Sequence, residues 1–149
     1  SNNQFTWLIT GVAGFIGSPA MNLHQGILQE AAGEIVVRIG TVTLPLLPAK
    51  AVQVKKYLGQ EVWFGLRPEA IRLQETERDK TSVCGQVTLI EQMGNEEFIY
   101  FTINGKQMTC RINVEGVADT TSRRGKQIFS FDTSRCHIFD AETEENISL

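Results

Sequence analysis

The sequence predicts an all-β fold, and three observations indicate it. Short runs rich in β-branched and apolar residues recur along most of the 149 residues, with turn residues at intervals of about 8–12 positions. Several of these runs alternate apolar and polar side chains, as a half-buried strand requires. Helical spacing is confined to short segments, so a small barrel or sandwich is predicted rather than alternating β and α units.

The predicted elements follow one another at short distances. Asn104-Gly105 favours a type I′ hairpin turn, because this turn needs positive φ at both central positions. Alanines and lysines interrupt the strand pattern at residues 45–57, and short helices are expected there and at residues 68–73. Strands are predicted at residues 34–40, 41–46, 61–66, 86–91, 97–103, 106–112, 125–132 and 136–140.

Composition indicates one soluble module, or a fragment of a larger protein. The chain is 42% hydrophobic and 21% charged, which is typical of a domain with a real core. Its formal charge of −3 argues against nucleic acid as a partner. The tight basic cluster at residues 123–126 is expected to be a solvated turn. No apolar run is long enough to cross a membrane, and no targeting segment is expected.

The three cysteines indicate reduced thiols. Cys84, Cys110 and Cys136 are far apart and form no C-x-x-C pair. Neither a disulfide framework nor a zinc site is therefore predicted. Cys136 is followed by His137, but adjacent strand residues face opposite ways and cannot share one ligand geometry. We therefore predict a structural role for His137.

Residues 7–18 resemble the glycine-rich first turn of a nicotinamide-dependent sugar epimerase. In that family the glycines at positions such as 11, 14 and 17 let the backbone approach a pyrophosphate. Three observations argue against this interpretation. Pro19 follows closely, the next predicted strand ends in Gly40 rather than an acid, and neither Tyr57 nor Tyr100 has a lysine four residues later. The chain also has no P-loop, so we do not expect it to hydrolyse ATP.

Four motifs resemble the C-terminal regulatory domain of ATP-binding subunits in maltose-type carbohydrate importers. They are Val-Ala-Gly-Phe-Ile-Gly-Ser-Pro-Ala-Met-Asn at residues 12–22, Gly-Leu-Arg-Pro-Glu at 65–69, a strand and turn at 85–96 that end in Glu-Gln-Met-Gly-Asn-Glu, and Arg-Cys-His-Ile-Phe-Asp at 135–140. The match covers residues 12–149. Residues 6–11 depart from the family pattern and create the epimerase likeness.

The resemblance implies OB-like or TOBE small β-barrel lobes with short helical connectors. Residues 1–21 would be an N-terminal connector, and residues 22–149 a regulatory domain of two intertwined β lobes. Such a domain tethers the ATPase dimer as a homodimer, and its parent chain contacts the membrane-spanning importer subunits at the inner face of the plasma membrane. No catalytic residue, metal or cofactor is expected here, because ATP and Mg belong to the ATPase domain.

The resemblance also implies docking of regulatory proteins. The unphosphorylated glucose-specific phosphotransferase protein is the first candidate, and a transcriptional activator is a second. The proposed docking surface includes Gly59, Gly65 and the turn Arg67, Pro68 and Glu69. The alternative for that turn is a rigid connection between two lobes, with Arg67 and Glu69 paired to each other or to backbone groups.

Phe139 and the whole domain each have a further interpretation. By resemblance Phe139 is a candidate anchor between two regulatory domains, and the alternative is an ordinary core phenylalanine. For the whole domain, one alternative is a small sensor that binds oxyanions, as related barrels of molybdate importers do. The other is a nicotinamide-binding epimerase fragment.

Overall fold

The computed structural model describes residues 20–74, 79–114 and 123–149. These residues form two compact units, one of residues 20–67 and 133–149 and one of residues 68–132. The strands are β1 (Asn22–Ala31), β2 (Glu34–Ile39), β3 (Val42–Pro45), β4 (Glu61–Leu66), β5 (Ile71–Leu73), β6 (Ser82–Met93), β7 (Glu96–Ile103), β8 (Lys106–Asn113), β9 (Lys126–Phe131) and β10 (His137–Asp140). The helix α1 spans Pro48–Val54, and 3₁₀ turns occupy Lys55–Tyr57, Pro68–Ala70 and Thr133–Arg135.

The first unit is a five-stranded antiparallel sheet in the order β10-β4-β1-β2-β3. The helix α1 begins at Pro48, where the missing N–H of proline costs nothing, and it runs into the 3₁₀ turn before β4. One face of the sheet carries most of the unit's core. Its fully buried side chains include Leu28, Val37, Ile39, Leu44, Val54, Val62, Leu66 and Ile138.

The second unit is a five-stranded antiparallel sheet in the order β5-β9-β6-β7-β8. Its first and last strands approach each other, because the Cys110 thiol of β8 donates a hydrogen bond to the Ile71 carbonyl of β5 at 3.0 Å. The sheet is therefore a nearly closed barrel. Inside it the rings of Phe101 and Phe129 stack with centroids 3.7 Å apart, and Phe131 meets Phe101 edge-on.

The structure confirms the all-β prediction and most of the predicted strands. Asn104 and Gly105 have φ values of 51° and 75° and join β7 to β8 as the predicted type I′ turn. The helix expected within residues 45–57 is also present. The antiparallel β1–β2 hairpin follows the glycine motif, so no βαβ unit of a nicotinamide enzyme forms there. The motif itself, and the predicted connector apart from Ala20 and Met21, lie outside the described residues.

Two expectations about local structure were wrong. Residues 68–73 do not form one helix, because only Pro68–Ala70 make a 3₁₀ turn while Ile71–Leu73 pair with the distant strand β9. The basic cluster is not wholly a solvated turn either. Arg123 is only 9% exposed, and it donates to both carboxylate oxygens of the fully buried Glu97 at 2.7 and 2.6 Å.

Candidate interaction site

The strand register defines a second face on the sheet of the first unit. Directly opposed residues of antiparallel strands share a face, and β4 places Gly65 opposite Leu23 of β1 and His137 of β10. Two residues earlier, Trp63 lies opposite Phe139 of β10. We call the set Leu23, Trp63, Gly65, His137 and Phe139 the Trp63 face. It lies on the opposite side of the sheet from Val62 and Leu66 of the main core.

A glycine is required in the middle of the Trp63 face. A Cβ atom on Gly65 would lie 2.5 Å from the sulfur of Met21 and 3.2 Å from a ring carbon of Phe139. Met21 and the fully buried Phe139 form a small hydrophobic cluster, against which the partly exposed Leu23 and Trp63 pack. The absence of a side chain at Gly65 therefore lets this cluster close over the sheet.

Phe139 is a buried core residue, which was the alternative to an interface anchor in the sequence analysis. Its side chain has no exposed surface in this chain. On the accessible side of the Trp63 face, Trp63 and His137 each keep part of their surface exposed. A partner that docks here would therefore contact Trp63 and His137, while Phe139 would support these side chains by packing beneath them.

His137 is held as a neutral imidazole by the C-terminal tail. The amide oxygen of Asn146 accepts hydrogen bonds from the backbone N–H and the hydroxyl of Ser148, at 3.0 and 2.7 Å. The Asn146 amide nitrogen therefore turns toward His137 and donates to its Nδ1 at 3.0 Å. This leaves the proton of the neutral ring on Nε2.

The electrostatic surroundings of His137 oppose its protonation. Burial lowers the pKa of His137 below its ordinary value of 6.5, and the nearby charges of Lys50 and Arg67 lower it further. Lys50 lies on α1, and Arg67 follows the end of β4. Basic side chains from α1 and from the end of β4 therefore act electrostatically on His137 of the Trp63 face.

The structure brings together only some of the residues that the sequence proposed for docking. Gly65, Arg67 and Phe139 share one region, as described above. Gly59 is exposed, adopts φ of +84° and donates its N–H to the Leu28 carbonyl at 2.7 Å. It lies two residues before the start of β4, and the strand from Glu61 to Gly65 is about 13 Å long. The positive φ explains why a glycine stands there.

Pro68 and Glu69 belong to the second unit, and their contacts are structural. Pro68 is buried in the 3₁₀ turn, and a carboxylate oxygen of Glu69 lies 3.4 Å from the Arg111 guanidinium. Arg111 also lies 3.5 Å from a carboxylate oxygen of Glu96. Glu69 is therefore tied to β8, and no ion pair joins it to Arg67, which was one of the two pairings that the sequence suggested.

The second unit has a cleft lined by arginines. Its volume is 480 Å³, and its charged lining residues are Glu69, Arg72, Arg111 and Arg123. Carboxylates already neutralise Arg111 and Arg123, through Glu69 with Glu96 and through Glu97, respectively. Most of the positive charge in this cleft is therefore used within the unit.

Several residues of the site were not proposed from the sequence. Leu23 and Lys50 belong to no motif, and Met21 lies in the motif at residues 12–22 but was given no role in docking. One signal was present in the sequence, because Trp63, Gly65 and Arg67 alternate along one strand and so fall on one face. The contribution of Lys50 depends on how α1 packs, which a local pattern does not reveal.

Among residues 20–74, 79–114 and 123–149, no group of three or more His, Cys, Asp or Glu side chains is arranged to hold a metal ion. Within the same ranges, no helix has the length and apolar character needed to span a membrane. Cys84, Cys110 and Cys136 are free thiols in the structure. Burial raises the pKa of the Cys110 thiol to about 12, whereas Cys84 is exposed.

Comparison with known proteins identifies both parts of the chain. The family model of the MalK OB fold domain matches residues 17–71, and that of the TOBE domain matches residues 64–139. The oligosaccharides import ATP-binding protein MsmX of Bacillus subtilis is 36% identical over 140 residues, which are 91% of this chain and 37% of MsmX. The multiple sugar-binding transport ATP-binding protein MsmK of Streptococcus mutans is 33% identical over 141 residues, which are 91% of this chain and 36% of MsmK.

The chain spans about a third of the length of these curated relatives. A solved structure is also similar, that of the cytoplasmic molybdate-binding protein ModG with molybdate bound. It matches with a TM-score of 0.63 and 19% sequence identity, over 83% of this chain and 97% of the ModG chain. At this identity the likeness concerns the fold alone.

Proposed function

The chain belongs to the OB and TOBE domain family of ABC sugar-importer ATP-binding proteins, and from this we propose that it is the regulatory part of such a subunit. In this role it tethers two copies of the subunit while their ATPase domains open and close, and it offers a surface to regulators. We propose restraint and docking as its mechanism, without bond chemistry or a cofactor of its own. ATP and Mg would be bound elsewhere in the subunit.

The transported sugar and the location follow from the same proposal. The motifs at residues 65–69 and 135–140 support a maltose or maltodextrin importer, while the names of MsmX and MsmK refer to oligosaccharides and to multiple sugars. We propose that the subunit works in the cytoplasm at the inner face of the plasma membrane. Its partners there would be the membrane-spanning importer subunits.

The Trp63 face is the observation that carries the docking role. A partly exposed tryptophan above a buried hydrophobic cluster, flanked by arginine and histidine, has the composition of an interface hot spot. We propose that this face binds the unphosphorylated glucose-specific phosphotransferase protein, and that a transcriptional activator is a further partner. Self-association would use the same unit, with Phe139 supporting the surface from below.

The docking role is tested by calorimetric titration of this chain with the unphosphorylated glucose-specific phosphotransferase protein of the same organism. We expect a micromolar Kd that weakens about tenfold or more in Trp63→Ala. The matched control is Leu89→Ala, a half-exposed apolar residue of the second unit. Absence of binding by the folded wild-type chain would reject docking of this regulator, and equal loss in both variants would reject the Trp63 face.

An oxyanion sensor is a second candidate, favoured by the arginine-lined cleft of the second unit and by the ModG-like fold. The pairing of Arg111 and Arg123 with carboxylates argues against it, because Arg72 alone would supply uncompensated charge. Titration with molybdate and sulfate decides between the two candidates. Binding that disappears in Arg72→Ala would support the sensor, and no binding of either ion would leave the docking module as the better proposal.

A further inference from the structure

We infer that Lys50, Arg67 and His137, here called the basic group, bind carboxylates and so make the Trp63 face select an acidic segment of a partner protein. This inference rests on the docking function proposed above and adds the chemistry of the partner. It is carried by the strand register at Arg67 and His137, the lack of ion pairs between Lys50 or Arg67 and the described residues, and the hydrogen-bonding state of His137.

The backbone register brings Arg67 and His137 to one patch. His137 lies directly opposite Gly65. Arg67 lies two residues beyond Gly65, and residues two apart along a strand fall on the same face. Such diagonal neighbours on adjacent strands are about 7–8 Å apart at their Cα atoms, within reach of a long side chain. Because Gly65 has no side chain, nothing from β4 separates the guanidinium from the imidazole. Lys50 of α1 is near enough to act electrostatically on His137.

The positive charge of the basic group is not balanced within the described chain. Lys50 and Arg67 are partly exposed, and neither forms an ion pair or hydrogen bond through its side chain with the described residues. The groups that act on His137 are Lys50 from α1, Arg67 from the end of β4 and the uncharged Asn146 of the tail. Among the described residues no acid forms an ion pair with Lys50 or Arg67.

The donors of the basic group suit carboxylates. A guanidinium can hold a carboxylate through two parallel hydrogen bonds, and an ammonium adds a point charge. Since Asn146 occupies Nδ1 of His137, the Nε2–H remains as a further donor. The neighbouring Trp63 and Leu23 supply apolar contact area, so an acidic segment with apolar residues fits the patch better than a free ion does.

The test uses an octaglutamate peptide as the probe, in low salt at pH 6.5, with binding followed by calorimetry and by amide NMR shifts of this chain. We expect shifts at Trp63, Arg67 and His137 and a loss of affinity of about tenfold or more in the variant Lys50→Glu/Arg67→Glu. The matched control is Lys55→Glu/Lys126→Glu, which changes the net charge equally at two exposed lysines. Circular dichroism and the urea midpoint verify that both variants are folded.

Three outcomes would overturn the inference. Equal affinity loss in the two variants would mean that the peptide responds to net charge only. Displacement of the peptide by inorganic phosphate at an equal concentration would identify a small-anion site instead of a docking surface. Failure of the peptide to bind, together with a self-association constant that falls in Lys50→Glu/Arg67→Glu but not in the control, would make a second copy the occupant.

The inference and the proposed function fail in different ways. If the phosphotransferase protein binds wild type and Lys50→Glu/Arg67→Glu equally but loses affinity for Trp63→Ala, docking stands and the carboxylate preference is rejected. If that protein does not bind the wild-type chain at all, docking of this regulator is rejected. The octaglutamate titration still decides whether the basic group recognises carboxylates.

Discussion

In the unit of residues 20–67 and 133–149, two cations and an imidazole meet without an acidic partner, whereas in the unit of residues 68–132 Arg111 and Arg123 are tied to carboxylates. Both units are five-stranded antiparallel sheets with aromatic side chains in their interiors. The units differ in whether these basic side chains form ion pairs. Paired charges in the second unit fix its own strands, whereas Lys50 and Arg67 in the first unit form no ion pair with the described residues.

The largest effect is expected from the hydrophobic cluster beneath the Trp63 face. Phe139→Ala should lower the free energy of unfolding by about 3–5 kcal/mol, because it removes a fully buried ring and leaves a cavity beside Met21. Urea unfolding followed by circular dichroism measures this loss. Phe139→Leu, which keeps most of the volume, should recover a large part of it. A loss below about 1 kcal/mol would contradict the core position of Phe139.

The difference in charge pairing between the two units is tested most directly by removing one arginine from each unit. Arg123→Ala should cost about 3 kcal/mol of stability, because it leaves the buried Glu97 carboxylate without its partner. Arg67→Ala should change stability by no more than about 0.5 kcal/mol, because Arg67 makes no ion pair with the described residues. Denaturant midpoints of the two variants check this, and equal losses would remove the distinction between the units.

The two glycines proposed for docking should differ in the cause of their sensitivity. Gly65→Ala should cost about 1–3 kcal/mol, because the new Cβ would press on Met21 and Phe139. Gly59→Ala should cost about 1–2 kcal/mol, because it forces a side chain into positive φ although the space around it is open. Replacement of each by D-alanine through peptide ligation separates the causes. It should restore stability at position 59 but not at position 65.

The smallest effect is a dependence of stability on pH through His137. Its pKa is lowered in the folded chain by burial and by Lys50 and Arg67, so the unfolded chain binds the proton first as the pH falls. The contribution of His137 to stability is therefore full above pH 6.5, declines below it, and levels off once the folded chain also binds the proton. His137→Gln should remove this contribution, so the stability of the variant should fall less than that of wild type below pH 6.5. Urea midpoints from pH 5 to 7.5 measure it, and parallel curves would contradict the lowered pKa.

Sequence patterns predicted most strands because their alternation is local. The segment at residues 97–103, for example, carries its apolar residues at period two and ends at Asn104-Gly105, so strand and turn agreed. The central strand β1 was missed because it is rich in polar residues such as His24 and Gln25. It becomes a strand by pairing with β2 on one side and with the distant β4 on the other. The amide of Asn22 bonds to the Leu66 carbonyl, which makes its burial acceptable.

The sequence by itself determined the all-β class, the hairpin at Asn104-Gly105 and the family, because these depend on local periodicity, turn chemistry and motif order. Only the tertiary structure decided which proposed residues form one site. Gly65, Arg67 and Phe139 come together because β4 pairs with β10 across more than 60 residues of chain, while Glu69 turns to Arg111 in the second unit. Likewise, only packing decided that Arg123 is neutralised and that Lys50 joins His137. The free energy of a charge depends on the neighbours that the folded chain brings to it.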